Sequence, residues 1–286
     1  MAVPVNVQNA IDNGYEFRFG DYIGQGFQLV QKNLGIFIAG TLILLIIMLV
    51  GVKVFPMLLA DIFGSGGYQT FMIKNLATQV IFTPILTPLM FGFYIAAHQA
   101  AKNKDVEISH FFAGTQKFVP LALVGMLTGI LTLVASAPGY YLVFSSGLDL
   151  DLMSNQPTFF ADSSSLEDLD LSGILLGYLV LFIPSAYITV SYLWAPLLVW
   201  FCDMRGWEAM EASRKLAGKN FLFLFGFLIV VMLIGFAGLI LLCIGVLFTF
   251  PVAMSSLYHS FADAVGLNRT DEDGLNEVID HFAPKM

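Results

Sequence analysis

Six runs of the chain are long and apolar, with no Asp, Glu, Lys or Arg near their centres, and polar stretches separate them. A hydrocarbon core about 30 Å thick needs roughly 20 apolar residues in a spanning helix. The pattern therefore predicts spans over about 34–55, 76–97, 119–144, 184–201, 221–243 and 246–261. The last apolar run, 221–261, would be about twice the membrane thickness as a single helix at ~1.5 Å per residue. It is expected to fold back at Cys243-Ile244-Gly245. Pro184 removes a backbone donor inside the apolar stretch 172–201, so the part before it is expected to be a short separate helix or a kinked extension.

A short amphipathic stretch precedes each outward span. In 21–33, Tyr22, Ile23, Phe27 and Val30 recur at helical spacing up to Lys32. In 109–117, Ser109 is the expected cap of a helix bearing Phe111 and Phe112 and ending at Lys117. In 206–220, Trp207, Met210 and Leu216 are expected to face the apolar side of the membrane surface, with Glu211 four residues before Lys215 as a favourable pair. Prolines at 84, 88, 184, 196 and 251 fall in or near the returning spans, where kinks are tolerated. The fold expected is all-α, an integral membrane bundle of three helical hairpins with interfacial helices. The layout is a segment 1–20, a transmembrane domain 21–265 and an acidic tail 266–286.

Charge gives this bundle a direction. With the amino terminus inside, the inner segments hold Arg18, Lys32, Lys102, Lys104, Lys117, Arg205, Arg214, Lys215, Lys219, Arg269 and Lys285, and only Lys53 and Lys74 fall outside. Loops rich in Lys and Arg stay cytoplasmic, so an even number of spans with both termini cytoplasmic is expected. The outer loop 145–171 carries six acidic residues and no basic one. Composition agrees: 57% of residues are hydrophobic, a surface that a soluble fold of this size could not bury. The first 20 residues are polar and include Asp12, Glu16 and Arg18, so the first span is expected to serve as its own insertion signal.

The segments 183–187 (Ile-Pro-Ser-Ala-Tyr), 195–199 (Ala-Pro-Leu-Leu-Val) and 206–215 (Gly-Trp-Glu-Ala-Met-Glu-Ala-Ser-Arg-Lys), with the 245–251 turn, carry a resemblance. Over about residues 20–265 the chain resembles uncharacterised bacterial polytopic inner-membrane proteins related to the membrane domain attached to some glycerophosphoryl diester phosphodiesterases. Ser185 stands where that family often has Gly, and the acidic loop looks like an insertion. The resemblance implies a membrane fold in a bacterial inner membrane and no activity, since the catalytic acids of such a phosphodiesterase have no counterpart.

Candidate chemistry is sparse. Ionisable residues inside a bilayer mark coupled transport or catalysis, and these spans have none at their centres. No enzyme activity and no cofactor are expected. His98 and His259 are expected to be solvated interfacial side chains, and His110 and His281 show no metal-ligand spacing. Gly125 with Gly129 and Gly173 with Gly177 form small-residue pairs suited to close helix packing. Trp194, Trp200 and Trp207 fit an aromatic belt at the inner interface. Cys202 and Cys243 are expected at opposite faces and unbridged.

Two functions follow from these features. The leading one is a module contacting membrane lipids, a protein partner or a second copy through Lys32, Lys117, Trp207, Met210, Arg214, Lys215 and Lys219, with no nucleic-acid partner. The alternative is a small-solute transporter or channel with Thr83, Thr87, Ser191 and Ser255 around a polar path. Topology is testable with single cysteines at 104, 215 and 162 in a Cys-free background. An impermeant thiol reagent on intact cells is expected to label 162 alone; labelling at 104 but not at 162 reverses the orientation.

Overall fold

The computed structural model describes residues 3–63, 67–146, 170–240 and 245–267. Most of the acidic loop, the Cys243 turn and the acidic tail lie outside the described residues. Among those described there are helices and no strand. The elements are α1 (Val5–Asn13), α2 (Phe19–Lys32), α3 (Leu34–Phe63), α4 (Gly67–Ala77), α5 (Thr83–Ala101), α6 (Ile108–Phe112) and α7 (Phe118–Ser145). They continue with α8 (Leu171–Tyr192), α9 (Ala195–Phe201), α10 (Gly206–Lys219), α11 (Phe221–Ile240) and α12 (Val246–Ala264).

Five stretches are long and apolar enough to cross a membrane: Leu34–Gly51, Val80–Ala101, Ile108–Ser145, Leu171–Phe201 and Phe221–Ile240. The chain is a helical, multi-pass membrane protein. The sixth expected span corresponds to α12, which is not among the five: Ser255, Ser256, Tyr258, His259, Ser260 and Asp263 make its second half more polar. Pro184 does not interrupt its helix, because α8 runs through it from Leu171 to Tyr192. The break comes at Leu193 and Trp194, and Pro196 opens α9 at a position where a missing N–H costs no hydrogen bond. Before Pro84 the chain instead loosens into a π-helical turn, Thr78–Phe82. Proline cannot donate to the carbonyl four residues back, and a widened turn accommodates the loss.

The chain divides into two compact units. The first comprises Met1–Leu44, Pro88–Leu121 and Val190–Met286; the second comprises Leu45–Thr87 and Ala122–Thr189. Nine of the Lys and Arg residues expected inside are described, and all nine belong to the first unit, whereas Lys53 and Lys74 belong to the second. In the second unit, Ser136 and Ser185 share a hydroxyl hydrogen bond of 2.7 Å between α7 and α8. Gly177 abuts Val143 and the Gly139 carbonyl, and Gly125 abuts Thr87, so these small residues pack within the chain. Val134, Leu175, Phe182 and Ile183 point outward and are more than half exposed, as lipid-facing side chains are.

The first unit is built around α12, which packs against α2 and α11. Gly26 of α2 permits this contact, because a Cβ there would overlap Ser256 of α12. Aromatic rings fill the interior: Trp194, Tyr22, Tyr258, Phe37, Phe91, Phe93, Phe227 and Phe261 are all under 2% exposed. Edge-on contacts link Phe17 with Tyr22 (5.1 Å), Phe17 with Phe227 (5.5 Å) and Phe93 with Phe250 (4.9 Å). Such pairs add roughly 0.5–1.5 kcal/mol each beyond area burial. Trp194 is therefore a core residue and not part of an interfacial belt.

Gly92 of α5 lies against the Phe111 backbone of α6, where a Cβ would overlap the carbonyl. Gly92→Ala is expected to cost about 1–3 kcal/mol through overpacking, read as a lowered thermal midpoint in detergent. Gly35→Ala, with open space at its Cβ position, is the control expected to leave the midpoint unchanged or raise it.

Candidate functional site: the basic end of the first unit

The two ends of the described chain meet here. Asn6 Nδ2 of α1 donates to the Val265 carbonyl at 3.1 Å. The Arg18 guanidinium pairs with Asp263 of α12 at 2.6 Å, and the Tyr22 hydroxyl donates to the same carboxylate at 2.6 Å. Burial pushes the Tyr22 phenol above its ordinary range, and the bond to Asp263 adds to the effect. Tyr15 donates to the Leu216 carbonyl at 3.2 Å, and Asn220 Nδ2 donates to the Tyr15 carbonyl at 2.8 Å. The amino-terminal segment is thereby fastened to α10 and α12.

Helix α10 turns Ala209, Met210, Ala212, Ser213, Leu216 and Ala217 inward. The expectation that Met210 and Leu216 face lipid is corrected: they are 1% and 0% exposed, packed within the protein. Trp207 points the other way and is 70% exposed. Positions 207, 211, 214, 215 and 218 recur at spacings of four, three, one and three, so Trp207, Glu211, Arg214, Lys215 and Gly218 share one outward stripe. Arg214 pairs with Glu211 at 2.8 Å and Lys215 lies 3.5 Å from the same carboxylate. The Arg214 hydrogen bond holds the Glu211 carboxyl below the usual carboxylate range, which keeps it ionised down to lower pH. Lys219 lies beyond the stripe, in a shallow hollow with Asn13, Tyr15 and Glu16.

Other expected site residues are used differently. Lys117 pairs with Asp203, donates to the Trp200 carbonyl at 3.1 Å and sits 5.4 Å from the Trp200 ring centre, so its charge is engaged within the protein. Glu107 is the cap of α6, and Ser109 donates to its carboxylate at 3.1 Å instead of capping. His98 is not simply solvated: its Nδ1 lies 2.7 Å from the Tyr258 hydroxyl. The ring of His259 carries a buried Nε2 with no partner among the described residues.

The four candidate path residues divide between the two units. Thr83 and Thr87 belong to the second unit, where Thr87 donates to the Thr83 carbonyl at 2.9 Å; Ser191 and Ser255 belong to the first. Ser191 and Ser255 are 2% and 0% exposed, so neither faces open water. The Ser191 carbonyl is taken by the Ser213 hydroxyl at 2.8 Å.

Lys32 lies elsewhere in the unit, exposed beside an open cavity of about 360 Å³ between the carboxyl-terminal ends of α2 and α5. Lys104, Asp105, Gln25, Gln28 and His259 also line it. Sequence reading took Lys32 as an interfacial residue but had no signal for the cavity, since its walls come from segments about 70 and 150 residues apart in the chain. Comparison of the chain with family models, curated proteins and solved structures returns no match, so its chemistry is read from its own residues.

Cys202, at the end of α9, is pushed up to about 11, first by burial and then by the neighbouring Asp203 carboxylate. Its reactive thiolate is scarce at neutral pH. In a Cys243→Ser background, alkylation by iodoacetamide is expected to be slow at pH 7 and to climb with a midpoint near 11. Asp203→Asn is expected to shift that midpoint downward; a midpoint in the ordinary thiol range would contradict this environment.

Proposed function

We propose that this protein is a non-enzymatic membrane module that docks on anionic lipid through the outward stripe of α10. The observation that carries the reading is the pairing of Trp207, 70% exposed, with Arg214 and Lys215 on one face of a helix whose other face is buried. Interfacial helices bind through an inserted aromatic and through attraction of Lys and Arg to anionic head groups. A bilayer rich in such head groups is the occupant that complements this face. Glu211 neutralises part of the positive charge, so Trp207 is expected to contribute a large share of the attachment.

The hydrogen bond from Asn6 to Val265 supports an even number of crossings, because five would separate the ends that this contact joins. On this reading α12 is the sixth crossing, the helices form three hairpins, and both termini are cytoplasmic in an inner membrane. A protein partner or a second copy would use the same outward stripe. The alternative, a small-solute transporter or channel, draws no support from the buried Ser191 and Ser255.

The test uses the full chain with a bimane probe at Gly218→Cys in a Cys-free background, reconstituted with head-group nitroxide lipid. Quenching is expected to be stronger in bilayers containing phosphatidylglycerol than in phosphatidylcholine alone. Trp207→Glu and Lys215→Glu are expected to reduce it severalfold, and Glu208→Gln to leave it unchanged. A probe unquenched in every bilayer, or indifferent to phosphatidylglycerol, would end the docking proposal.

A further inference from the structure

The cavity between the ends of α2 and α5 has more charge than the fold requires. Lys32 closes the last turn of α2, where a cation ordinarily offsets the free carbonyls. Two of those carbonyls are already occupied: the Asn33 N–H donates to Val30 at 3.1 Å, and Asn33 Nδ2 donates to Leu29 at 3.0 Å. The end of α5 is closed the same way. Lys102, Asn103 and Lys104 N–H groups donate to the carbonyls of His98, Ala100 and Gln99, with Asn103 in the left-handed region at φ 51°. The Lys32 and Lys104 side chains therefore do not serve as hydrogen-bonding caps. Neither has an ion-pair or hydrogen-bond partner among the described residues.

The residues lining the cavity thus include two lysines and one acidic residue, Asp105, all exposed to solvent, beside Gln25 and Gln28. A plain anion would satisfy the lysines and be opposed by Asp105. A molecule bearing both a phosphate and an ammonium group would complement all three charges, with the amides as further donors. His259 borders the cavity as well, but its Nε2 is buried away from water and is not a group on the wall. The volume of about 360 Å³ falls within the ~300–1,000 Å³ range of small-ligand sites. We propose that this cavity binds a phosphate ester carrying a primary amine, the chemistry of a phosphoethanolamine head group. That chemistry is shared by a membrane lipid and by a free phosphate ester. The site is separate from the α10 stripe and does not depend on it.

The experiment places the full chain in phosphatidylcholine nanodiscs, whose quaternary ammonium has no N–H to offer Asp105, and titrates O-phosphoethanolamine, inorganic phosphate and ethanolamine by calorimetry. O-phosphoethanolamine is expected to bind at least about tenfold more tightly than either other compound, as a charged hydrogen bond added to the phosphate contact would give. Lys32→Ala and Lys104→Ala are each expected to weaken it about tenfold by the same reasoning. Asp105→Asn is expected to remove the preference over inorganic phosphate while phosphate still binds. These side chains are exposed, so the variants are expected to fold. Native mass spectrometry from mixed phosphatidylethanolamine and phosphatidylcholine discs then separates the sources. Selective retention of the ethanolamine lipid, lost in the lysine variants, assigns a lipid head group; binding of the soluble ester without lipid retention assigns a free ligand. Absence of both, binding indifferent to Lys32→Ala and Lys104→Ala, or equal affinity for phosphate and its amine ester would each overturn the proposal. Trp207→Glu serves as the control: it is expected to leave this binding intact whether or not α10 docks on lipid.

Discussion

Close packing of α2 on α12 is the contact on which the first unit depends. A membrane protein gains little from apolar burial between helices in lipid, because lipid tails are themselves apolar, so association relies on fit and on polar contacts. Gly26 supplies the fit by letting the α2 backbone approach Ser256 and the Val252 carbonyl. The Arg18, Tyr22 and Asp263 cluster supplies the polar contact at the end of the same helix pair. Removing Asp263 would leave the mostly buried Tyr22 hydroxyl without its 2.6 Å acceptor, which is costlier than losing a solvent-exposed ion pair.

This arrangement also accounts for the composition of the chain. Twenty-seven phenylalanines are more than a lipid-facing surface needs, and in the first unit many of them line up inside it. Phe17, Phe93, Phe111, Phe227, Phe250 and Phe261 contact other rings at angles that favour edge-on pairing. The second unit, by contrast, closes its helices through small residues and a shared serine hydrogen bond while turning its larger apolar side chains outward. One chain thus uses two ways of holding membrane helices together.

The helical membrane architecture was legible because it is written in runs and spacings. Five of the six predicted spans coincide with helices long and apolar enough to cross, and the stretches before spans one, three and five are short helices as expected. The faces of those helices were less legible. In α10 the periodicity of Met210 and Leu216 marks an apolar side, but periodicity alone does not distinguish an apolar side buried in protein from one buried in lipid. Both are helical stripes; only the packing of α10 against α1, α9 and α11 tells them apart. Of the two outcomes expected at Pro184, a separate short helix or an extension of the same one, the chain takes the extension. The proline's cost is set by whether the freed carbonyl finds another way to be satisfied, and in this chain the helix continues through it while breaking at Leu193 and Trp194.

The polar sites were illegible for a different reason. Sequence scanning singles out ionisable groups within spans, and the central spans have none. The cavity at Lys32 uses ordinary residues from three separated segments, each unremarkable at a membrane boundary. What distinguishes them is that the backbone and Asn33 take carbonyls at both helix ends, while the two lysines have no hydrogen-bond or ion-pair partner among the described residues. A charge that the fold does not need is better evidence for a ligand than a charge at a helix end alone. Lys117, which sequence placed in the same interfacial class, differs in having partners within the protein: Asp203 and the Trp200 carbonyl engage its charge.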